Sequence, residues 1–128
     1  LEGFVNIADL AGKRVGATWP DLADWPELDD GHAVHAAIGT YRANPFGLHE
    51  MLGNLWEWCG DRHYSYTLGV VPGTGERMPG QGRSLGRVIR GGGYGNGAAF
   101  ARASYRHYAS PEFLEDDVGL RPARPLER

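Results

Sequence analysis

The chain has 128 residues, with 13 basic and 16 acidic side chains and a net charge of −3. This length suits one domain of about 100–200 residues, and we expect residues 1–128 to form a single one. The charge balance gives no support to nucleic-acid or anionic-membrane binding. One cysteine excludes an intrachain disulfide framework and a cysteine-based zinc site. No apolar stretch approaches the roughly 18 residues of a membrane span.

The first half of the chain predicts little regular structure. Residues 17–31 mix Trp, Pro and acidic side chains without periodicity, so we expect an ordered loop. Residues 35–42 form a short apolar stretch that favours a strand. The apolar spacing within residues 48–52 (i, i+3, i+4) predicts one or two helical turns, which Gly53-Asn54 would end.

The second half predicts short strands separated by long loops. Residues 55–59 alternate in β fashion, which places Trp56 and Trp58 on one face as core anchors. Residues 69–86 hold six glycines and two prolines and predict a long loop. These elements together indicate an α+β fold of low regularity. Two further short strands are predicted, at 87–90 and 118–121.

Residue types that carry common chemistries are scattered along the chain. The five histidines show no metal-ligand pair, and no serine lies in a Gly-x-Ser-x-Gly elbow. The glycine run at 91–97 lacks the Lys-Ser/Thr of a phosphate loop, so tight backbone turns explain it better. Paired acids such as Asp29-Asp30 and Asp116-Asp117 offer the oxygens that a hard cation prefers, although a solvated acidic face is the commoner explanation.

Residues 44–61 and 87–94 resemble the two signature segments of the formylglycine-generating enzyme, or sulfatase-modifying factor, family. The first contains Asn-Leu-Trp-Glu-Trp-Cys, and the second contains Arg-Gly-Gly-Gly-Tyr. Residues 101–106 and 118–123 resemble the closing stretch of the family, and 5–9 resemble its opening. The resemblance implies a C-type-lectin-like fold with long loops. It also implies a longer family domain, so we expect an N-terminal part to be missing from this chain.

The resemblance further implies structural calcium, held partly by main-chain carbonyls. Hard oxygen ligands suit Ca²⁺, and a bound ion would fix loops that little secondary structure supports. The second of two implied ligand sets is the better candidate, because it supplies two carboxylates. The first set is Asn6, Ile7, Asp30 and, through its backbone, His32. The second set is Glu50, Gly53, Leu55 and Glu57.

The catalytic members of the family, by the same resemblance, use two cysteine thiolates to bind Cu(I) and oxidise a substrate cysteine. Residues 93–102, where that pair would lie, contain no cysteine. Cys59 lies in the predicted strand 55–59, where a half-buried structural role is expected. We therefore expect no copper site. The missing pair argues against formylglycine generation and leaves other enzyme activity open.

The segment 94–117 mixes rigid aromatic residues with small polar ones, a composition typical of binding loops. It resembles the variable region of diversity-generating-retroelement proteins, whose varied positions derive from Asn codons. Glu112 and Glu115 fit such a codon less easily, and Leu114 stands where Arg is common in that region. We expect a protein or other macromolecular ligand to bind here if at least four of seven chosen side chains share one exposed face. The seven are Tyr94, Asn96, Phe100, Tyr105, His107, Tyr108 and Phe113.

Two other functions stay open at this point. One is an ordinary non-catalytic or regulatory module that has diverged from the family. The other is a catalytic member similar to the iron-dependent sulfoxide synthases, in which a separate domain supplies the iron ligands and this part only contacts substrate. For Phe100 and Tyr105 a core role competes with a binding role, and solvent exposure separates the two.

Overall fold

The computed structural model describes residues 3–79 and 84–123. A five-residue helix, α1 (Leu10–Arg14), precedes a short 3₁₀ helix (Pro20–Ala23). The four strands are β1 (Trp56–Arg62), β2 (Arg87–Arg90), β3 (His107–Ala109) and β4 (Val118–Gly119). They form one sheet in the order β3-β2-β1-β4, in which β4 runs parallel to β1 and the other pairs are antiparallel. A small sheet, few helices and long loops confirm the predicted α+β class.

The helix α1 begins at a side-chain cap that also joins it to a distant loop. Asp9 accepts a hydrogen bond from the backbone N–H of Ala11 (2.8 Å), as an N-cap residue does. The other carboxylate oxygen of Asp9 accepts from the backbone N–H of Asp30 (2.5 Å). This one buried carboxylate therefore holds Asp30, a member of the first predicted calcium set, against the start of the helix.

The sheet carries the larger of two apolar clusters on the face where Trp56 lies. Trp56, Ile89 and Ala109 are buried there, and Trp58 packs against them half-buried. An aromatic side chain of this size buries about 150–250 Å². Trp56 is therefore the core anchor that the sequence predicts, and Trp58 reaches the cluster only in part. The second cluster consists of Val5, Ile7 and Ala101.

Residues 35–42 do not form the predicted strand. Several of their backbone N–H groups bond to side chains instead of to a neighbouring strand: that of Ala36 donates to the amide oxygen of Asn54 (2.7 Å), and that of Tyr41 donates to the carboxylate of Glu50 (3.0 Å). A buried backbone must satisfy its polar groups somewhere. Two buried polar side chains do this here, which no period in the sequence indicates.

The predicted helix at 48–52 is also wrong. Glu50 lies in the left-handed region with φ 47°, and Gly53 and Asn54 follow with φ 74° and 66°. A right-handed helix cannot pass through such residues. The turn is tied to another loop, because the N–H of Gly53 donates to the carbonyl of Gly91 (2.7 Å).

Two of the predicted strands are confirmed, and one observed strand was not predicted. The strand expected at 55–59 is β1, and the strand expected at 87–90 is β2. The last predicted strand is shorter, since β4 covers only two residues. β3 lies within the segment assigned to binding loops. The loop predicted at 69–86 contains an isolated bridge between Val70 and Arg77, and its residues 80–83 lie outside the described residues.

Candidate functional site

Five of the seven predicted binding residues line one cavity of about 480 Å³ beside β1 and β3. Pockets for small ligands usually measure about 300–1,000 Å³. We name it the aromatic cavity. The five predicted residues that line it are Asn96, Phe100, His107, Tyr108 and Phe113, and Trp56 and Asp117 line it with them.

Trp56 fixes the wall of the aromatic cavity through its ring and its N–H. The indole Nε1 donates to the side-chain oxygen of Asn96 (2.8 Å), which also accepts the backbone N–H of Gly93 (3.0 Å). The rings of Phe100 and His107 lie 6.3 and 5.7 Å from the Trp56 ring. Such distances suit edge-to-face and tilted aromatic contacts. The cavity wall is therefore built before any ligand arrives.

The other two predicted residues play structural parts. Tyr94 is buried and meets Trp19 edge-on, with ring centroids 5.5 Å apart. Burial raises the pKa of the Tyr94 hydroxyl, and Asp116 raises it further. Tyr105 is half-buried between the rings of Trp56 and Phe100.

Three of the seven predicted side chains are exposed, fewer than the four that a macromolecule-binding face was expected to need. They are His107, Tyr108 and Phe113. Asn96 and the competing pair Phe100 and Tyr105 are half-buried. The set therefore forms a concave site with an open rim rather than a broad exposed face.

One carboxylate, that of Asp117, lines the aromatic cavity. Asp117 is half-buried; burial raises its pKa, and the neighbouring Asp116 and Glu115 raise it further. Among the described lining residues there is no lysine or arginine. The cavity wall thus combines several aromatic side chains with one carboxylate and, among its described residues, no lysine or arginine.

The first predicted calcium set lies together in the structure. Asp30 accepts the backbone N–H groups of Ile7 (2.9 Å) and His32 (2.8 Å), one on each carboxylate oxygen. The amide nitrogen of Asn6 donates to the carbonyl of Val34 (2.9 Å), while its amide oxygen is buried and has no hydrogen-bond partner. An orphaned buried oxygen costs free energy unless a cation or water meets it. The amide oxygen of Asn6 is therefore the atom of this set that a calcium ion would satisfy.

In the second predicted calcium set, a guanidinium already bonds to one of the two carboxylates. Arg121 Nε donates to both carboxylate oxygens of Glu57 (2.8 and 2.9 Å). Arg121 Nη2 donates to the carbonyls of His49 (2.9 Å) and Glu50 (3.2 Å). The Glu50 carboxylate accepts backbone N–H groups from the 39–41 turn. Gly53 and Leu55 lie in the turn that leads into β1.

No three His, Cys, Asp or Glu side chains converge on a common point within residues 3–79 and 84–123. A cation at the first set would thus depend on amide and carbonyl oxygens as much as on Asp30. Calcium accepts such neutral oxygens in sites of six to eight ligands.

Comparison with known proteins places the chain in a family. A family model described as the sulfatase-modifying factor enzyme 1-like domain matches residues 7–126. The chain belongs to this family. Its two signature segments meet in space, since the 53–54 turn bonds to the carbonyl of Gly91 and to the N–H of Tyr94.

The similar proteins of the sulfatase-modifying factor family are much longer than this chain. It is 34% identical to serine/threonine-protein kinase pkn1 of Chlamydia caviae over 147 aligned residues, which cover 98% of this chain and 23% of that protein. It is 33% identical to the formylglycine-generating enzyme of Streptomyces coelicolor over 102 residues (77% and 32%). It is 30% identical to hercynine oxygenase of Mycolicibacterium thermoresistibile over 127 residues (91% and 28%).

Cys59 is poorly suited to thiolate chemistry in this member of the family. It is half-buried, and its sulfur lies 3.8 Å from the carbonyl oxygen of Glu57. Burial raises the pKa of its thiol, and Asp61 raises it further. A thiol with a raised pKa is a weak nucleophile and a poor soft-metal ligand at neutral pH.

Sequence reasoning missed the roles of Trp56 and Asp117 in the site. Trp56 was assigned to the core alone, yet its ring lines the cavity as well. The acidic run at 115–117, directly before β4, was the available signal for the carboxylate. No helix in the described part of the chain is long and apolar enough to cross a membrane.

Proposed function

We propose that this chain is a ligand-binding module of the sulfatase-modifying factor family whose aromatic cavity takes a small organic cation. The observation that carries the proposal is the lining of that cavity: aromatic rings, among them the imidazole of His107, together with the Asp117 carboxylate and no lysine or arginine among the described residues. Ring faces attract cations, and quaternary ammonium groups bind in such aromatic cages. The half-buried carboxylate adds a charge that favours a cation over a neutral molecule of the same shape.

The test compares choline with its neutral isostere 3,3-dimethyl-1-butanol by isothermal titration calorimetry. We expect choline to bind about 5–30-fold more tightly, because cation–π contacts contribute about 1–2 kcal/mol in partly desolvated sites. Asp117→Asn and Tyr108→Ala should reduce that preference. Phe46→Ala, which removes an exposed ring outside the cavity, is the matched control. Equal affinity for the two compounds, or equal loss in the control, would contradict the proposal.

A catalytic or regulatory role within a longer protein is the second candidate. It is favoured by the lengths of the relatives, of which this chain matches between 23% and 32%. In that case the aromatic cavity would contact substrate while other parts of the protein supply the reactive groups. Titration with hercynine, named in one relative, separates the two candidates. Affinity for hercynine well above that for choline supports the substrate-contact role.

Diversification of residues 94–117 is a further proposal, supported by the position of the exposed rings. His107, Tyr108 and Phe113 form the rim of the cavity, where substitutions change contacts without opening the core. A near-copy of codons 87–121 in the flanking DNA, differing mainly at adenines, would support it. The C-type-lectin-like fold that the family implies stands as a proposal in the same way. A macromolecular ligand on these loops is the weaker proposal, because three of the seven chosen side chains are exposed where four were expected to be needed.

We also propose structural calcium at the first set, Asn6, Ile7, Asp30 and His32. The buried amide oxygen of Asn6 supports it, because a cation would satisfy an oxygen that otherwise has no partner. The ion would hold the N-terminal segment against the 28–34 loop, where there is no regular secondary structure.

A further inference from the structure

A second and larger cavity, of about 820 Å³, lies beside residues 57–60 of β1. Glu57, Trp58 and Cys59, three consecutive residues of the strand, line it. Its apolar surface comes from both ends of the described chain and from the 48–52 turn. The main apolar residues are Phe4, Leu48, Met51, Trp58 and Leu120.

Four arginines and two glutamates supply the charged side chains of this cavity, which we name the arginine cavity. They are Arg42, Arg90, Arg102 and Arg121, with Glu50 and Glu57. Both glutamates are already satisfied, Glu57 by Arg121 and Glu50 by two backbone N–H groups. The wall therefore carries an excess of two positive charges in a chain whose net charge is −3.

The other three guanidiniums are held in place by neutral groups. Arg90 donates to the carbonyl of Ala103, and Arg102 Nε donates to the carbonyl of Ala99 (2.8 Å). Arg42 lies over the Phe4 ring, 5.7 Å from its centroid. Among the described residues none of the three forms an ion pair; the ion pairs there are Arg14–Asp29 and Arg121–Glu57. Each guanidinium has five N–H donors, so donors remain for a ligand.

We propose that the arginine cavity binds a small molecule with a carboxylate head and an apolar body, such as a medium-chain carboxylic acid. The volume suits a small ligand. Guanidinium groups pair with carboxylates through two parallel hydrogen bonds, and the apolar wall removes the rest of the ligand from water. Charge complementarity selects an anion here, just as it selects a cation in the aromatic cavity.

The experiment is calorimetric titration of the chain with octanoate, 1-octanol and acetate. Octanoate is expected to bind at least ten-fold more tightly than octanol, and acetate is expected not to bind, because head and body both contribute. Arg42→Gln and Arg102→Gln should each weaken octanoate binding five-fold or more. Arg62→Gln, an exposed arginine of β1 outside the cavity, is the matched control and should change it less than two-fold. Choline affinity should not change in either cavity variant.

Several outcomes would overturn this assignment. Equal binding of octanol and octanoate would show an apolar surface without charge selection. Failure of octanoate to bind, or binding that the two cavity variants leave unchanged, would exclude the site. A dimer in light scattering that octanoate does not dissociate would assign the cavity to a second copy of the chain. Folding of each variant is checked by its urea midpoint, so that a lost site is distinguished from a lost fold.

Discussion

Replacing Arg121 by Met tests how much the guanidinium that joins β1 to the chain after β4 contributes to stability. The substitution keeps an apolar stem and removes the bonds to Glu57 and to two carbonyls. Breaking a fully buried ion pair costs about 3–5 kcal/mol, and an exposed pair contributes about 0–1 kcal/mol. The side chains of Arg121 and Glu57 are 34% and 24% exposed, so solvent screens part of the interaction. We expect a loss of about 2–3 kcal/mol.

Urea denaturation followed by tryptophan fluorescence measures this loss as a change in the free energy of unfolding. For a chain of this size each kcal/mol lowers Tm by about 3–5 °C, so the variant should melt about 6–15 °C lower. The double variant with Glu57→Gln should lose less than the sum of the two single variants, because the two side chains interact directly.

The matched control is Arg14→Met, which breaks the exposed ion pair with Asp29 (side chains 59% and 39% exposed). We expect no measurable change in its unfolding midpoint, since solvent screens such pairs. An Arg121→Met loss no larger than that of the control, or additive losses in the double variant, would refute the argument. Recovery of the Arg121→Met variant in Ca²⁺ would show instead that calcium can occupy this place.

Three further predictions follow from particular contacts. Choline affinity should fall as the pH is lowered, because a protonated Asp117 no longer attracts a cation. Burial raises the pKa of Asp117, so the fall should begin above the ordinary aspartate value of 3.8. A flat profile of affinity from pH 7 to pH 4 would contradict this. Gly53→Ala should lower the urea midpoint more than Gly73→Ala. Both glycines have φ near 80°, but a Cβ at Gly53 would overlap the carbonyl of Asn6, whereas a Cβ at Gly73 would meet no atom. Equal losses of stability would argue against the close approach of Gly53 to Asn6. Millimolar Ca²⁺ should raise Tm and EDTA should reverse the rise, because calcium at 100-fold its Kd would add about 2.7 kcal/mol to the free energy of unfolding. An unchanged melting curve would leave the first set without its ion.

The elements predicted correctly are those whose sequence pattern lies within a few consecutive residues. β1 and β2 contain alternating or β-branched residues, and each is followed by polar or glycine-rich sequence. β3 was missed because its three residues, His107–Ala109, read as part of a polar and aromatic loop. Its strand conformation comes from pairing with β2, which is 20 residues earlier in the chain. Contacts of that range leave no period in the sequence.

The amino-acid sequence by itself determined the family, the α+β class, the role of Trp56 as an anchor and the lack of a cysteine pair. These follow from residue identity and short spacing. Tertiary structure decided which polar groups meet. It joined Glu50 to the 39–41 turn and Arg121 to Glu57. A predicted strand and a predicted helix were lost, and a carboxylate predicted to bind calcium bonds to a guanidinium instead. It also divided the predicted binding residues between a cavity and the core. The reason is physical: a carboxylate binds whichever cation or N–H the fold brings within about 3 Å, and distance in space is not encoded in distance along the chain.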